Sequence, residues 1–253
     1  ANFGYFIAGS NSASRVERLD YSDDTTTPSV RGELAENIQG AVAVGNQDFA
    51  YVGGGAYSNA VKSTVQRIDY SNDTATASPK GPLSLARYAL GAAGNANFGY
   101  FGGGAPSPYS TVDRVDYSND TATAAAKGPL SATRYNFAGT GNANFGYFGG
   151  GASTAYTIIQ RIDYSNDTAT APAKGPLSVG RKFHGATGSS SFGYFGGGNA
   201  PSKSSTVDRV DYSNDTATAS SVGNLSLARN FLTGCSSRAN GITTNTFFPA
   251  SSV

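Results

Sequence analysis

The 253-residue chain has no tryptophan, no methionine, one cysteine (Cys235) and one histidine (His184). A single cysteine excludes an internal disulfide framework, so stability must come from a core and from strand pairing. With one histidine and one cysteine, zinc sites, histidine-based triads and a Cys–His pair all lack partners within the chain. Glutamate is scarce: Glu17, Glu33 and Glu36 all fall near the N-terminus. Charge is low and balanced, with 18 Lys and Arg against 17 Asp and Glu. That balance provides neither the basic field needed for nucleic acid nor an acidic tail. No apolar run approaches the length of a membrane span, and no signal peptide is visible, so no membrane insertion is expected. The chain has no methionine and Ala1 falls inside a repeat, which fits a mature product or a piece of a longer protein.

What is present is glycine (33), tyrosine (15) and phenylalanine (14), set in a repeat. The segment R-[VIL]-D-Y-S-[ND]-D-T begins at Arg18, Arg67, Arg114, Arg161 and Arg209, so its steps are 49, 47, 47 and 48 residues. An aromatic pair leading into glycines keeps the same beat at Tyr5-Phe6, Tyr51-Val52, Tyr100-Phe101, Tyr147-Phe148 and Tyr194-Phe195. A fixed period of about 40 to 50 residues marks a propeller or solenoid, whose units cannot bury their apolar faces alone. Because the repeat covers nearly the whole chain, one closed domain is expected.

Each regular copy contains four strand candidates. In the third copy they are Thr111–Tyr117, Thr121–Ala126, Arg134–Gly141 and Phe145–Gly149, separated by Gly, Pro, Asn, Asp and Ser turns. Four antiparallel strands in one repeat make a propeller blade. The expected architecture is therefore all-β: a five-bladed β-propeller of four-stranded blades spanning residues 1–236. Counting strands leaves the first blade without its inner strand, and residues 229–236 are expected to supply it by pairing with the N-terminal strand and closing the ring. Residues 237–253 form a non-repeat tail.

The repeat resembles the kelch family. Tyr100-Phe101-Gly102-Gly103 matches the kelch strand ending in paired glycines, Val112-Asp113-Arg114-Val115-Asp116-Tyr117 its V-E-x-Y-D-P-like segment, and Leu130-Ser131-Ala132-Thr133-Arg134 its closing turn to arginine. The resemblance covers about residues 1–236. It departs from the family pattern in having Thr or Ala for the kelch tryptophan and in having five blades. It implies a propeller. The copper radical oxidases that share this propeller need two Tyr, two His and a Cys, a set this chain cannot assemble. The wording DYSNDTATA, GPLSxxR and NFGYFGGG is also similar to repeats in structural proteins of marine bacteriophages, which implies a place in a tail or fibre.

Several repeated groups are candidates for chemistry. Arg87, Arg134, Arg181 and Arg229 stand where each chain enters an innermost strand. One reading is a ring at the channel mouth that binds a carboxylate, a sulfate or an acidic loop. The other has each arginine paired with an aspartate such as Asp116, or with turn carbonyls, tying blades together. Tyr88, Tyr135 and Phe183 beside them are either core or a sugar platform. Asn72, Asn119, Asn166 and Asn214 begin N-x-T sequons that matter only in a glycosylating source. The same S-N-D-T segments read first as hairpin turns, and more weakly as calcium sites using Asp69 with Asp73 and their equivalents. The glycine triplets lack the helix and Lys-Ser/Thr of a phosphate loop and are expected to serve packing and positive φ. His184, where copy two has Leu90, is expected to be a satisfied strand residue.

No metal and no cofactor is implied. The symmetric repeats and missing catalytic types point to a non-enzymatic structural or binding module, extracellular or on a virion surface, whose partners are subunits of a larger assembly or a surface glycan. Two further readings stand beside it: a carbohydrate-active enzyme using two aspartates on one propeller face, and an adaptor gripping an acidic peptide over the arginines.

Overall fold

A computed structural model of the chain describes residues 3–9, 14–151, 157–199 and 202–234. Within them the chain forms five small antiparallel sheets arranged in a ring as the blades of a propeller. Blade one contains Phe3–Ile7, Val16–Asp20 and Ser29–Val30. Blade two is Val42–Gly45, Phe49–Gly53, Val65–Asp69 and Ser78–Lys80, with a short hairpin of Ala56–Tyr57 and Ala60–Val61 between its middle strands. Blade three is Gly91–Gly94, Phe98–Gly102, Val112–Asp116 and Ala125–Lys127. Blade four is Ala138–Gly141, Phe145–Gly149 and Ile159–Asp163, with an outer edge made only by the bridge of Gln160 to Ala173. Blade five is Gly185–Gly188, Phe192–Gly196, Thr206–Asp211 and Ser220–Asn224.

The second and third strands of each blade lie close to their expected positions, and the other two are shorter. In blade four the inner strand begins at Ala138 and not at Arg134, because Asn136 takes a left-handed φ of 57° that no strand tolerates. In blade three the outer strand is Ala125–Lys127, since Thr121 to Ala124 are still completing the turn.

Period-two alternation puts one face of each blade against the next, where large rings fit over glycines. Phe101, Phe148 and Phe195 are fully buried. A Cβ on Gly53 would lie 2.7 Å from the Phe101 ring, and one on Gly149 2.7 Å from the Phe195 ring. Burying such a side chain contributes up to about 3 kcal/mol, and only a neighbouring blade can bury it.

Toward the outside of each junction runs a polar tie. Tyr5, Tyr51, Tyr100 and Tyr147 donate to Asp73, Asp120, Asp167 and Asp215 of the following blade at 2.8, 2.9, 2.8 and 2.9 Å. Arg18, Arg67, Arg114 and Arg161 reach the same carboxylates at 2.9, 2.7, 2.8 and 2.7 Å. Lys80, Lys127 and Lys174 take the other oxygen in three of them. Each tyrosine also stacks on the next blade's turn tyrosine, as Tyr100 does on Tyr164 at 4.8 Å. Burial, with the hydrogen bond to Asp73, pushes the Tyr5 hydroxyl up to about 12.

The segment expected to complete blade one is only partly within the described residues. Residues 232–234 lie along the inner strand of blade five: a Cβ on Gly234 would meet the Ala186 carbonyl oxygen at 2.4 Å, as one on Gly139 would meet that of Ala92 at 2.1 Å. That is the place of a following inner strand. Residues 235–236 and the tail at 237–253 lie outside the described residues.

Candidate functional site

The arginine positions resolve into internal ties. Arg87 is fully buried and donates to Asp113 Oδ2 at 2.6 Å, to the Thr111 carbonyl at 2.9 Å and to the Gly103 carbonyl. Asp113 also accepts from the Ser84 backbone and hydroxyl, so one carboxylate pins the whole loop that enters blade three. Arg181 repeats this with Asp208 at 3.0 Å and the Thr206 carbonyl at 2.7 Å. Arg134 has only carbonyls, those of Gly150 at 2.9 Å and Ile158 at 3.1 Å, because Gln160 stands where the others have aspartate. Burial lowers the Arg134 pKa to about 10 with no carboxylate to offset it. These three guanidinium groups face blade interiors and present nothing to a ligand at the channel mouth. Arg229 alone is exposed. The carboxylate partners are Asp113 and Asp208, whereas Asp116 is occupied in its own turn.

Tyr88 and Tyr135 are half-buried beside these arginines, and Phe183 packs on Phe231 with ring centroids 4.4 Å apart. They flank a feature with no signal in the residue types. Gly40, Ala89, Asn136, Phe183 and Phe231 occupy one repeat position, and all have left-handed φ between 55° and 63°. The N–H groups of Ala89, Asn136, Phe183 and Phe231 donate to the carbonyls of Gly40, Ala89, Asn136 and Phe183 at 2.8 to 3.0 Å. A backbone chain of hydrogen bonds thus links successive blades near the axis. It pins four non-glycine residues in a conformation that costs on the order of 1 kcal/mol each.

The glycine triplets serve the packing role expected of them. Gly103 and Gly104 take φ of 59° and 113°, and their N–H groups donate to the Thr111 and Arg134 carbonyls, leaving none for a phosphate. His184 departs from expectation. It lies just ahead of the inner strand of blade five, 4% exposed, with neither ring nitrogen hydrogen-bonded among the described residues. Burial, with the charges of Arg181 and Arg134, lowers its pKa to about 3.

The S-N-D-T segments form turns as expected, three of them as short 3₁₀ helices at Tyr70–Asn72, Tyr164–Asn166 and Tyr212–Asn214. Asp163 Oδ1 accepts from the Ser165 N–H at 2.9 Å and its hydroxyl at 2.6 Å, which holds the carboxyl below its ordinary range. Asp69, Asp116 and Asp211 do the same. Four residues later Asp73, Asp120, Asp167 and Asp215 turn inward to the junctions, so the pair considered for calcium is divided between two tasks. Among the described residues no three His, Cys, Asp or Glu side chains converge as metal ligands. Asn72, Asn119, Asn166 and Asn214 are exposed at the turn tips.

These turns border a repeated cleft that residue types alone do not reveal. Between blades three and four, Asn95, Ala143, Asn144, Phe145, Asp163, Tyr164 and Ser165 line a cleft of about 340 Å³. One junction earlier, Asn46, Ala96, Asn97, Phe98, Asp116, Tyr117 and Ser118 line another of about 370 Å³. The construction is the same in both. Asn95 and Asn46 cap their own loops through Oδ1 and reach across the junction, donating Nδ2 to the Ala143 and Ala96 carbonyls at 3.4 and 3.3 Å. Arg161 and Arg114 cover the Phe145 and Phe98 rings at 4.3 Å. Asn142 bridges likewise to Ser190 between blades four and five. Each cleft is small, open and amphiphilic, offering amide, carboxylate and hydroxyl groups beside an aromatic edge. Its size is at the low end of the range of about 300 to 1,000 Å³ typical of ligand sites.

No protein-family model matches the chain, and no curated protein matches it. Among the described residues no helix is long and apolar enough to cross a membrane.

Proposed function

We propose that the protein is a non-enzymatic binding module that engages a hydroxyl-rich ligand, such as a surface glycan, through equivalent clefts between successive blades. The observation that carries this reading is the recurrence of one cleft at consecutive junctions on one face. Catalysis calls for a single asymmetric arrangement of acid and base. Equal shallow sites suit many weak contacts with a repetitive surface, where avidity multiplies modest affinities. The mix of Asn, Asp and Ser with a Phe edge matches hydroxyls alternating with C–H faces. The similarity of DYSNDTATA and NFGYFGGG to phage structural repeats, together with the kelch-like blade, supports a virion or extracellular setting within a larger assembly. Burial of Arg87, Arg134 and Arg181 takes support away from an adaptor gripping acidic peptides.

The test is a glycan array followed by calorimetric titration of the strongest sugar, comparing the wild-type chain with Asn97→Ala/Asn144→Ala. These two exposed side chains line the two clefts and, among the described residues, make no side-chain hydrogen bond to the fold. Expected are more than one site per chain and at least a tenfold loss of affinity in the double variant at unchanged melting temperature. Unchanged binding, or a single site per chain, would remove the clefts from the reading, and sugar turnover would restore the enzyme.

A further inference from the structure

Among the described residues four junctions join the five blades of the ring by polar ties, and the parts of a fifth are left without theirs at the two ends of the series. On the outer face of blade five, Tyr194, Arg209 and Gly223 hold the repeat positions of Tyr147, Arg161 and Gly175. On the opposite face of blade one, Phe6 and Asp24 hold those of Phe195 and Asp215. Among the described residues no hydrogen bond or ion pair joins Tyr194 or Arg209 to Asp24, although all four equivalents are formed. Phe6 is 53% exposed where Phe101, Phe148 and Phe195 are 0%. A Cβ on Gly32, Gly81, Gly128 or Gly175 would strike the next blade's backbone at 1.8 to 1.9 Å, whereas one on Gly223 would meet nothing within 4 Å. The axial chain of hydrogen bonds stops in the same way at Phe231, 75% exposed.

The two faces are complementary to each other and not to themselves. One offers a cation, a tyrosine hydroxyl and uncovered Gly196, at the position where Gly53 and Gly149 lie under Phe101 and Phe195. The other offers a carboxylate and Phe6, which holds the position of those rings. Exposed Arg229 and half-buried Glu17, which among the described residues pairs only with its neighbour Arg15 at 2.9 Å, add a second matched pair, since Glu17 holds the position of Asp113 and Asp208, the partners of Arg87 and Arg181. We propose that the faces are halves of one heterologous interface and that the occupant is a second copy of this chain, blade one of each copy seated on blade five of the next. Such head-to-tail contacts generate larger rings or open fibres according to their rotation. This interface continues the repeat junction and stands independently of the ligand clefts.

Light scattering on the full chain over a concentration series tests it, with Arg209→Glu, Asp24→Lys and their equimolar mixture alongside. Wild-type mass is expected to rise with concentration in multiples of one chain. Each variant alone should stay at the mass of one chain, because like charges then meet at the interface. The mixture should associate again, since the swapped charges attract across copies. Tyr194→Phe, which deletes one hydroxyl only, should weaken wild-type association severalfold without unfolding. A wild-type mass of one chain at every concentration, with Arg209→Glu lowering only the melting temperature, would place the fifth junction within a single ring and overturn the proposal. Association that persists in both variants would place it on another surface and overturn the proposal equally.

Discussion

Arg87, Arg134 and Arg181 occupy one repeat position, yet their environments differ by a single partner, and stability should register it. Arg87→Ala leaves Asp113 buried without its counter-charge, a defect worth about 3–5 kcal/mol. Arg134→Ala uncovers only carbonyls near neutral Gln160 and should cost clearly less, about 1–3 kcal/mol. Urea denaturation of the two variants side by side measures the difference, and equal losses would sink the role assigned to the carboxylate. His184 provides a pH signature. Its pKa is near 3 folded and near 6.5 unfolded, so between those values the unfolded chain binds the extra proton. Its contribution is therefore complete above pH 6.5 and is lost as pH falls toward 3, with an upper bound of about 4–5 kcal/mol. His184→Leu, which installs the residue found at position 90, should flatten the melting-temperature profile in that window. A profile as steep as wild type would show that other groups cause it.

At the scale of the element, the two aspartates of each D-Y-S-N-D segment perform separable tasks. Asp163 caps a solvent-facing turn, and Asp163→Ala should cost about 0.5–2 kcal/mol. Asp167 collects Tyr100, Arg114 and Lys127 across a junction, and Asp167→Ala should cost about 2–4 kcal/mol by stranding all three. Thermal melts that rank the two variants in the opposite order would refute the division. The junction between blades two and three also carries a pH dependence, at Asp120. Burial would raise the Asp120 pKa, but hydrogen bonds from Tyr51 and Lys80 and the charges of Arg67 and Lys80 outweigh it and leave the group below its ordinary value. Its stabilisation is accordingly present above pH 4 and disappears as pH falls through the folded value.

For the whole molecule, stability follows position in the series. Blades two, three and four carry a completed junction on both faces, while blade one carries one and its strand Phe3–Ile7 has no buried residue, against four of five in Phe98–Gly102. Hydrogen exchange should show the slowest amides in Phe98–Gly102, Val112–Asp116 and Phe145–Gly149. The fastest strand amides should lie in blade one and in Ser220–Asn224, which has no buried residue. Uniform protection across all blades would contradict this order.

The repeat alone determined that the chain is all-β, that its unit is a four-stranded blade and that there are five of them. Period-two alternation, turn residues and glycines are local signals, and each recurs often enough to be unmistakable. It also determined that strand exits would be glycine, since Gly103 and Gly104 need positive φ. Tertiary structure decided which residues meet. Tyr100 finds Asp167 across 67 residues and Arg114 finds the same carboxylate across 53, spans longer than one repeat, so no window within one unit contains both partners. The arginines, legible as a series, were ambiguous between ligand site and structural tie until burial placed three of them in the interior. The clefts exist only where the loop of one blade overhangs the turn of the next. A sequence states what each blade is made of, and only the packing of blade on blade determines which polar groups are consumed in holding the ring and which remain for a partner.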